Sequence, residues 1–413
     1  MESREDGAPP PGLARALLPD RVPGDRAGIE VERPPFGGVG QGGRLGQSGR
    51  PEKVSAVSSS FGKVLTIATF GESHGPAVGV ILDGCPPGIP LDAETIQRDL
   101  DRRRPGQSAV TTQRKEPDKV EVLSGVFEGV TTGATIALVV RSVDARPQDY
   151  ANLKDLFRPG HADYTYWKKY GVRDYRGSGR SSGRETVGRV AAGAVARRVL
   201  EREGARVQAY TVQVGDLVAK ERDLEFAEQN AVRAPDRKAA PAMERAILEA
   251  REAGDSLGGV VEILASSVPA GLGDPVMDKL DASLAWGLMS IGAVKGFEVG
   301  EGFAAARMRG SEMNDRMERG GFASNHAGGI LGGISTGEPI VTRIAVKPPS
   351  SIAIPQKTVD TAGEEREFAI SGRHDPCLCP RVVPVAEAMT CLVLADALLR
   401  QRSIEHWRPK TNV

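Results

Sequence analysis

Aromatic side chains make up only 5% of this 413-residue chain, and no uninterrupted run of about 18 apolar residues exists, so nothing in it reads as a membrane span. Charge of one sign is equally lacking: Lys+Arg and Asp+Glu are both 54, leaving no basic excess of the kind that nucleic-acid or membrane-surface binding calls for. Four cysteines, Cys85, Cys377, Cys379 and Cys391, are too few for a disulfide framework in so long a chain, and a reducing cytosol is the default location. The apolar h-region of a secretory signal is missing. So are a Gly-x-Gly-x-x-Gly after a strand, a Walker loop and the Gly-x-Ser-x-Gly spacing of a nucleophile elbow, which disfavours a Rossmann nicotinamide site, P-loop phosphoryl transfer and a serine hydrolase.

Glycine, by contrast, is abundant at 50 residues, and suits a scaffold of tight turns on which a loop-built site is mounted. Residues 1–55 are Gly- and Pro-rich with no periodic apolar pattern, and read as a disordered extension. Its acids (Glu2, Glu5, Asp6, Asp20, Asp25, Glu30, Glu32) argue against a transit peptide, and an upstream mis-called start codon is the other reading. Residues 56–405 are expected to form a single catalytic domain.

Within the stretch Phe157–Gly204, the part from Arg158 to Arg184 concentrates cations: Arg158, Lys168, Lys169, Arg173, Arg176, Arg180 and Arg184 stand against only Asp163 and Asp174. Tyr164, Tyr166, Tyr170, Tyr175 and His161 lie among them. Gly177, Gly179 and Gly183 then open into a helical pattern with Val187, Val190, Ala191, Ala194, Val195 and Val199 on one face. A Gly/Ser/Arg loop entering a helix N-terminus, with Ser181 and Ser182 beside it, favours a phosphate or other oxyanion; a solvated basic loop capped by Ser182 or Thr186 is the bland alternative.

Elsewhere Phe61–Phe70 reads as a strand delivering Gly71-Glu72-Ser73-His74-Gly75, a tight turn with His74 as a candidate acid/base and Ser73 as a hydroxyl relay, or merely a solvated turn histidine. Val78–Leu82 returns as a strand. Asp92–Arg104 is expected to be a helix with Asp92 as N-cap and Pro105 ending it; its arginines suit either the helix dipole or an anion clamp. Val120–Gly129, Thr132–Val140, Arg206–Leu217 and Val260–Ser266 read as strands. Residues 220–254 read as a surface helix, Asp274–Ser290 as a helix with Pro275 at its first position, and Pro384–Arg402 as an amphipathic helix starting at Pro384. Met289–Gly296 and Gly328–Gly337 are glycine-dense apolar segments, with His326 leading into the second, and Lys347–Ser351 is a cationic, hydroxyl-bearing turn. In Arg373-His374-Asp375-Pro376-Cys377-Leu378-Cys379 a zinc site lacks a second ligand pair, and Asp375 reads better as a carboxylate able to relay a proton, or as part of a helix-capping cluster.

Six blocks carry a family resemblance in order: GESHG (Gly71–Gly75), DRRRPG (Asp101–Gly106), RPGHAD (Arg158–Asp163), GRSSGRET (Gly179–Thr186), SNHAGGILGGIS (Ser324–Ser335) and RHDPCLCPRVVPVAEAM (Arg373–Met389). From about Ser58 to Arg402 the chain resembles the chorismate synthases. The resemblance implies an α+β fold, a β-α-β sandwich with central helices between two mainly antiparallel sheets and an internal duplication. It implies anti-1,4-elimination of phosphate from 5-enolpyruvylshikimate 3-phosphate to chorismate, a lyase reaction of the shikimate pathway toward aromatic amino acids. A reduced FMN is needed although no net redox change occurs, NADPH is a possible reductant, and a cytoplasmic homotetramer is implied.

By the same resemblance His74 protonates the departing phosphate, His161 lies near flavin N1, and Asp375, with Ser73 as relay, takes the proton on from N5. Arg103 is a substrate-side arginine; Arg104 and Arg184 join it as substrate-binding candidates. Arg180, Ser181, Ser182, Gly292, Ala293, Gly332, Lys347, Pro348, Pro349, Ser350, Ser351 and Arg373 fall on flavin-contact positions, and no metal is implied. Two departures stand out. A second family arginine is Ala109 here, so its share of the anion clamp falls to Arg104 or Arg114, and a dipeptide often containing Asn or Pro is Gly292-Ala293. A flavin- or phosphate-binding protein without catalysis, and a phosphatase, are the other classes. The first has no need of two histidines and an aspartate in separate polar turns, and the second needs a metal cluster or an activated nucleophile.

Overall fold

The computed structural model describes residues 59–108, 110–111, 116–143, 150, 152–370 and 374–409. Two five-stranded antiparallel sheets dominate it. The first runs in the order Ser60–Phe61, Thr66–Phe70, Ala77–Asp83, Ile136–Arg141, Val120–Ser124, and the second Val294–Val299, Ile340–Val346, Gly259–Ser266, Arg206–Val214, Leu217–Val218. Between them lie two buried helices, Thr186–Glu201 against the first sheet and Cys379–Ile404 against the second. The first helix packs closely on both neighbours: a Cβ built on Gly188 would come within 2.8 Å of the carbonyl oxygen of Gly79 in the first sheet, and one on Gly193 within 2.3 Å of Ala388 Cβ in the second helix. Small residues let these backbones approach, so helix, helix and sheet share one apolar core.

Cys379–Ile404 begins five residues before the expected Pro384, with Pro380 in its first turn and Pro384 inside it. An internal proline normally orphans the carbonyl four residues back. Here that carbonyl, of Pro380, accepts from Arg233 Nη1 at 2.9 Å, so the helix continues. It is the one described helix long and apolar enough to cross a membrane, yet 94% of its most apolar window is buried inside the protein.

Other boundaries also differ from expectation. Phe61–Phe70 is not one strand but two short ones paired with each other, because the segment turns at Gly62 (φ 92°) and the N–H groups of Lys63, Val64 and Leu65 all donate to Asp396 Oδ1. The expected 220–254 helix is split into Leu224–Ala227 and Ala239–Glu252, since Asp236 accepts from the backbone of Lys220, Glu221, Lys238 and Ala239 and caps a turn between them. The helix expected from Asp274 starts at Leu280, whose N–H goes instead to the Gly333 carbonyl, while Asp274 and Asp278 pair with Arg400 and Lys63. Ala93–Arg103 keeps Asp92 as N-cap, its side chain accepting from Thr95 N at 2.7 Å. Asp163–Tyr170 is an additional short helix.

Candidate active site

Antiparallel pairing places the loop Gly71–Pro76 at one end of the first sheet, between Phe70 and Ala77. The strands of the second sheet end at Val294 and Val346, so Ala293 and Lys347 lie just past their paired ends, joined by a 2.9 Å bond from Lys347 N to Ala293 O. Between these ends opens a cavity of about 1690 Å³. Its lining draws Ser73 and His74 from the first loop, His161 from the turn before Asp163–Tyr170, and Asp375 from the turn before Cys379–Ile404. Arg180, Ser181, Ser182 and Arg184 enter from the loop preceding the first buried helix, and Gly292, Ala293, Lys347, Pro349, Ser350 and Ser351 from the second sheet's end.

His74 sits against a backbone shaped to receive it. Gly177, Ser178 and Gly179 have φ of 59°, 76° and 50°, three successive residues in the left-handed region. A Cβ on Gly177 would stand 2.0 Å from His74 Nδ1, and one on Gly179 2.4 Å from Glu72 Oε2. The His74 ring meets Tyr150 edge-on at 4.9 Å. Glu72 is raised above its ordinary value by burial and by neighbouring Asp174.

His161 is oriented differently. Its Nδ1 lies 3.2 Å from Arg158 Nη2 and 3.3 Å from Asp163 Oδ1. Burial lowers its pKa, with Asp163 opposing, so the ring is held neutral. Burial by itself would raise Asp163, but bonds from Arg158 (2.7 and 2.9 Å) and the contact with His161 outweigh it and hold this carboxyl far below the usual range. Arg173 adds a 3.1 Å bond to Asp163 and three to the carbonyls of Leu153, Lys154 and Leu156, clamping the segment that leads to Arg158.

The arginines divide into braces and open donors. Arg103, 2% exposed, directs Nε to Thr186 Oγ1, Nη1 to Asp118 Oδ2 and Nη2 to the Gly183 carbonyl, so much of its donor capacity supports the neighbouring loop; burial and nearby Arg381 lower its pKa to about 10. Arg180 likewise ties Thr69 and Gly71. Arg184 bonds Asp118 Oδ1 through Nη1 at 3.0 Å, while its buried Nε and Nη2 have no hydrogen-bond partner in the protein. Such nitrogens suit a bound anion. Lys347, lowered by burial and by Lys295, lines the cavity together with that second lysine.

Several expected residues are not brought to this lining. Arg104 is the C-cap of its helix, where the backbone turns away, and its half-exposed side chain faces Asp101. Pro348 is exposed outside the cavity, its Cδ 2.9 Å from a Cβ built on Gly258. Gly332 forms the turn of a small hairpin, Ile330–Leu331 with Ile334–Ser335, that leans on Lys279 and Leu280. His326 is bound at Asp315, which accepts from its backbone and ring nitrogens. Ala109, Arg114 and Arg373 lie outside the described residues. Arg381, within the Arg373–Met389 block, also lines the cavity and bonds Asp375 Oδ2 at 2.5 Å. Glu116 and Asp118, the acidic partners of Arg184, had no local sequence signal.

A family model for chorismate synthase matches residues 65–399. A curated chorismate synthase of Syntrophobacter fumaroxidans is 59% identical over 349 residues, covering 84% of this chain and 99% of its own. Among solved structures, a crystal structure of chorismate synthase matches with a TM-score of 0.65 and 34% identity, over 83% of this chain and 93% of that one.

Proposed function

The chain belongs to the chorismate synthase family, and from that premise we propose that its cavity eliminates phosphate from 5-enolpyruvylshikimate 3-phosphate to give chorismate, with reduced FMN bound beside the substrate. The observation that carries this is convergence: His74, His161 and Asp375, about 300 residues apart at the extremes of sequence, line one cavity among Arg103, Arg184, Arg381 and Lys347. A substrate with a phosphate and two carboxylates needs such a cationic lining to be held against its own charge.

The donor set fits the flavin as well. The buried Nε of Arg184, without a hydrogen-bond partner in the protein, suits an anion, and the hydroxyls of Ser350 and Ser351 beside Lys347 suit a phosphate or a ring edge. Arg180, Ser181, Ser182, Gly292, Ala293 and the Lys347–Ser351 turn are the residues that would hold it. When bound, reduced FMN supplies electron density to the carbon losing phosphate and a basic N5 for the departing C6 proton. The C3–O bond breaks with its electron pair on phosphate and the C6–H bond supplies the pair of the new double bond, so the reaction is redox-neutral overall. His74 donates the proton that phosphate takes as it leaves. His161, kept neutral, would offer a hydrogen bond rather than a positive charge to a bound flavin. Asp375, held by Arg381, would be the carboxylate that takes up the proton, with Ser73 as relay. The same reading carries a cytoplasmic homotetramer.

The test is anaerobic: protein, substrate and dithionite-reduced FMN, with chorismate absorbance and free phosphate followed together and oxidised FMN as control. Equal yields of both products, only with reduced flavin, are expected. Phosphate without chorismate would mean a phosphatase, and neither product a binding protein. Replacing dithionite by NADPH then decides whether this chain reduces its own flavin.

A further inference from the structure

The two histidines of the cavity come from loops far apart in sequence, yet one short segment touches the surroundings of both. Gly177 packs its backbone against the His74 imidazole, so that a Cβ there would lie 2.0 Å from Nδ1, 2.1 Å from Cε1 and 3.1 Å from Ser73 Oγ. The next residue, Ser178, is 8% exposed, and its Oγ accepts from Arg158 Nη2 at 2.6 Å. That same Nη2 lies 3.2 Å from His161 Nδ1 and 2.9 Å from Asp163 Oδ1. Gly179 completes the segment by packing on Glu72 and Asp174, and its carbonyl accepts from Ser73 N at 3.4 Å.

Glycine adopts positive φ freely at 177 and 179, but the serine between them, at φ 76°, is costly and persists only where the surroundings over-determine it. Here the surroundings are the two histidine loops. We propose that Gly177-Ser178-Gly179 is a positioning template for the elimination, Gly177 setting the place of His74 by having no side chain and Ser178 tying that place, through Arg158, to His161. None of the three need touch substrate. This rests on the functional reading above, in which His74 delivers a proton to the leaving phosphate.

The template makes a prediction that a general packing role does not. In Gly177→Ala the new methyl displaces His74, and turnover should fall about 10²-fold, the usual consequence of an ångström-scale misplacement, with KM within about threefold of wild type. Combining it with His74→Ala removes the ring with which the methyl collides. The double variant should therefore turn over within about threefold of His74→Ala alone, and should melt above Gly177→Ala. The strain of alanine at φ 59° is present in both variants of the melting comparison and cancels there. Should Gly177→Ala not fold, Ser178→Ala carries the test, with kcat expected to drop about tenfold at a KM within about threefold.

A Gly177→Ala enzyme with wild-type turnover, a double variant losing the further 10²-fold, or unchanged kcat in Ser178→Ala would each overturn the template. Chorismate made by wild type and by Gly177→Ala alike would sink the template and leave the functional reading intact. No chorismate from wild type, with reduced flavin present, would sink the reading and the template with it.

Discussion

At the scale of the residue, the site is governed by which charges burial permits. His161 is surrounded by Arg158, Asp163 and, further off, Lys347, and desolvation decides the outcome, driving its pKa below the ordinary 6.5 with Asp163 pulling the other way. A histidine depressed in the folded state contributes its full stability above the unfolded value and loses it as pH falls through the lower, folded value. Histidine-selective ¹⁵N NMR should therefore show a His161 midpoint below 6.5, and lower still in Asp163→Asn, where the one carboxylate favouring the imidazolium is gone. A midpoint at or above 6.5 in the wild-type protein would contradict the neutral ring on which the flavin reading draws. Arg103 and Arg184 show the same logic for cations. Both reach Asp118, but Arg184 keeps a buried Nε without a hydrogen-bond partner and an Nη2 that meets Glu116 Oε2 only at 3.6 Å, so it rather than Arg103 offers open capacity for an anion.

Elements are set by close approach, and here glycine acts through space rather than flexibility. Gly193, mid-helix in Thr186–Glu201, would gain about 1 kcal/mol on replacement by alanine if the helix surface were free. It faces Ala388 instead, with the would-be Cβ 2.3 Å from Ala388 Cβ and 2.5 Å from its Cα, so the two buried helices must separate. Overpacking of that kind costs about 1–3 kcal/mol. Urea unfolding of Gly193→Ala should show a net loss; a gain would mean that the helix pair is looser than the structure has it. This contact also marks the limit of legibility. The Thr186–Glu201 helix and the Asp92-capped helix were readable because periodicity and caps are local signals. The start of Cys379–Ile404 was not, because the bond that tolerates Pro384 comes from Arg233, and the break in Phe61–Phe70 was hidden because Asp396 lies over 300 residues away. In the site, His74, His161 and Asp375 stood out as polar groups in Gly- or Pro-marked turns, whereas Asp118 and Glu116 gave no signal until the fold brought Arg184 to them.

For the whole molecule, one carboxylate joins the layers. Glu387 belongs to the C-terminal buried helix and is 2% exposed, yet it takes Arg102 from the helix Ala93–Arg103, Arg197 from the other buried helix and Ala209 N from the second sheet. Burial opposes its ionisation, but Arg102, Arg197 and the backbone donor outweigh that and bring its pKa down to about 2 from 4.5. A carboxylate depressed in this way stabilises the fold fully above the unfolded value and less and less as pH drops toward the folded one. Wild-type stability should thus decline between about pH 4.5 and about pH 2, and Glu387→Gln should lack that part of the slope. Glu387→Ala is harsher, since it leaves two largely buried guanidinium groups without their shared partner, at an expected cost of about 3–5 kcal/mol in urea unfolding at neutral pH. The cost should be accompanied by a rise in KM, because Arg102 precedes Arg103 on the helix that braces the Gly183–Thr186 loop at the cavity. A loss under about 1 kcal/mol with KM unchanged would show that the layers are held by apolar packing alone and that the buried ion network does not reach the site.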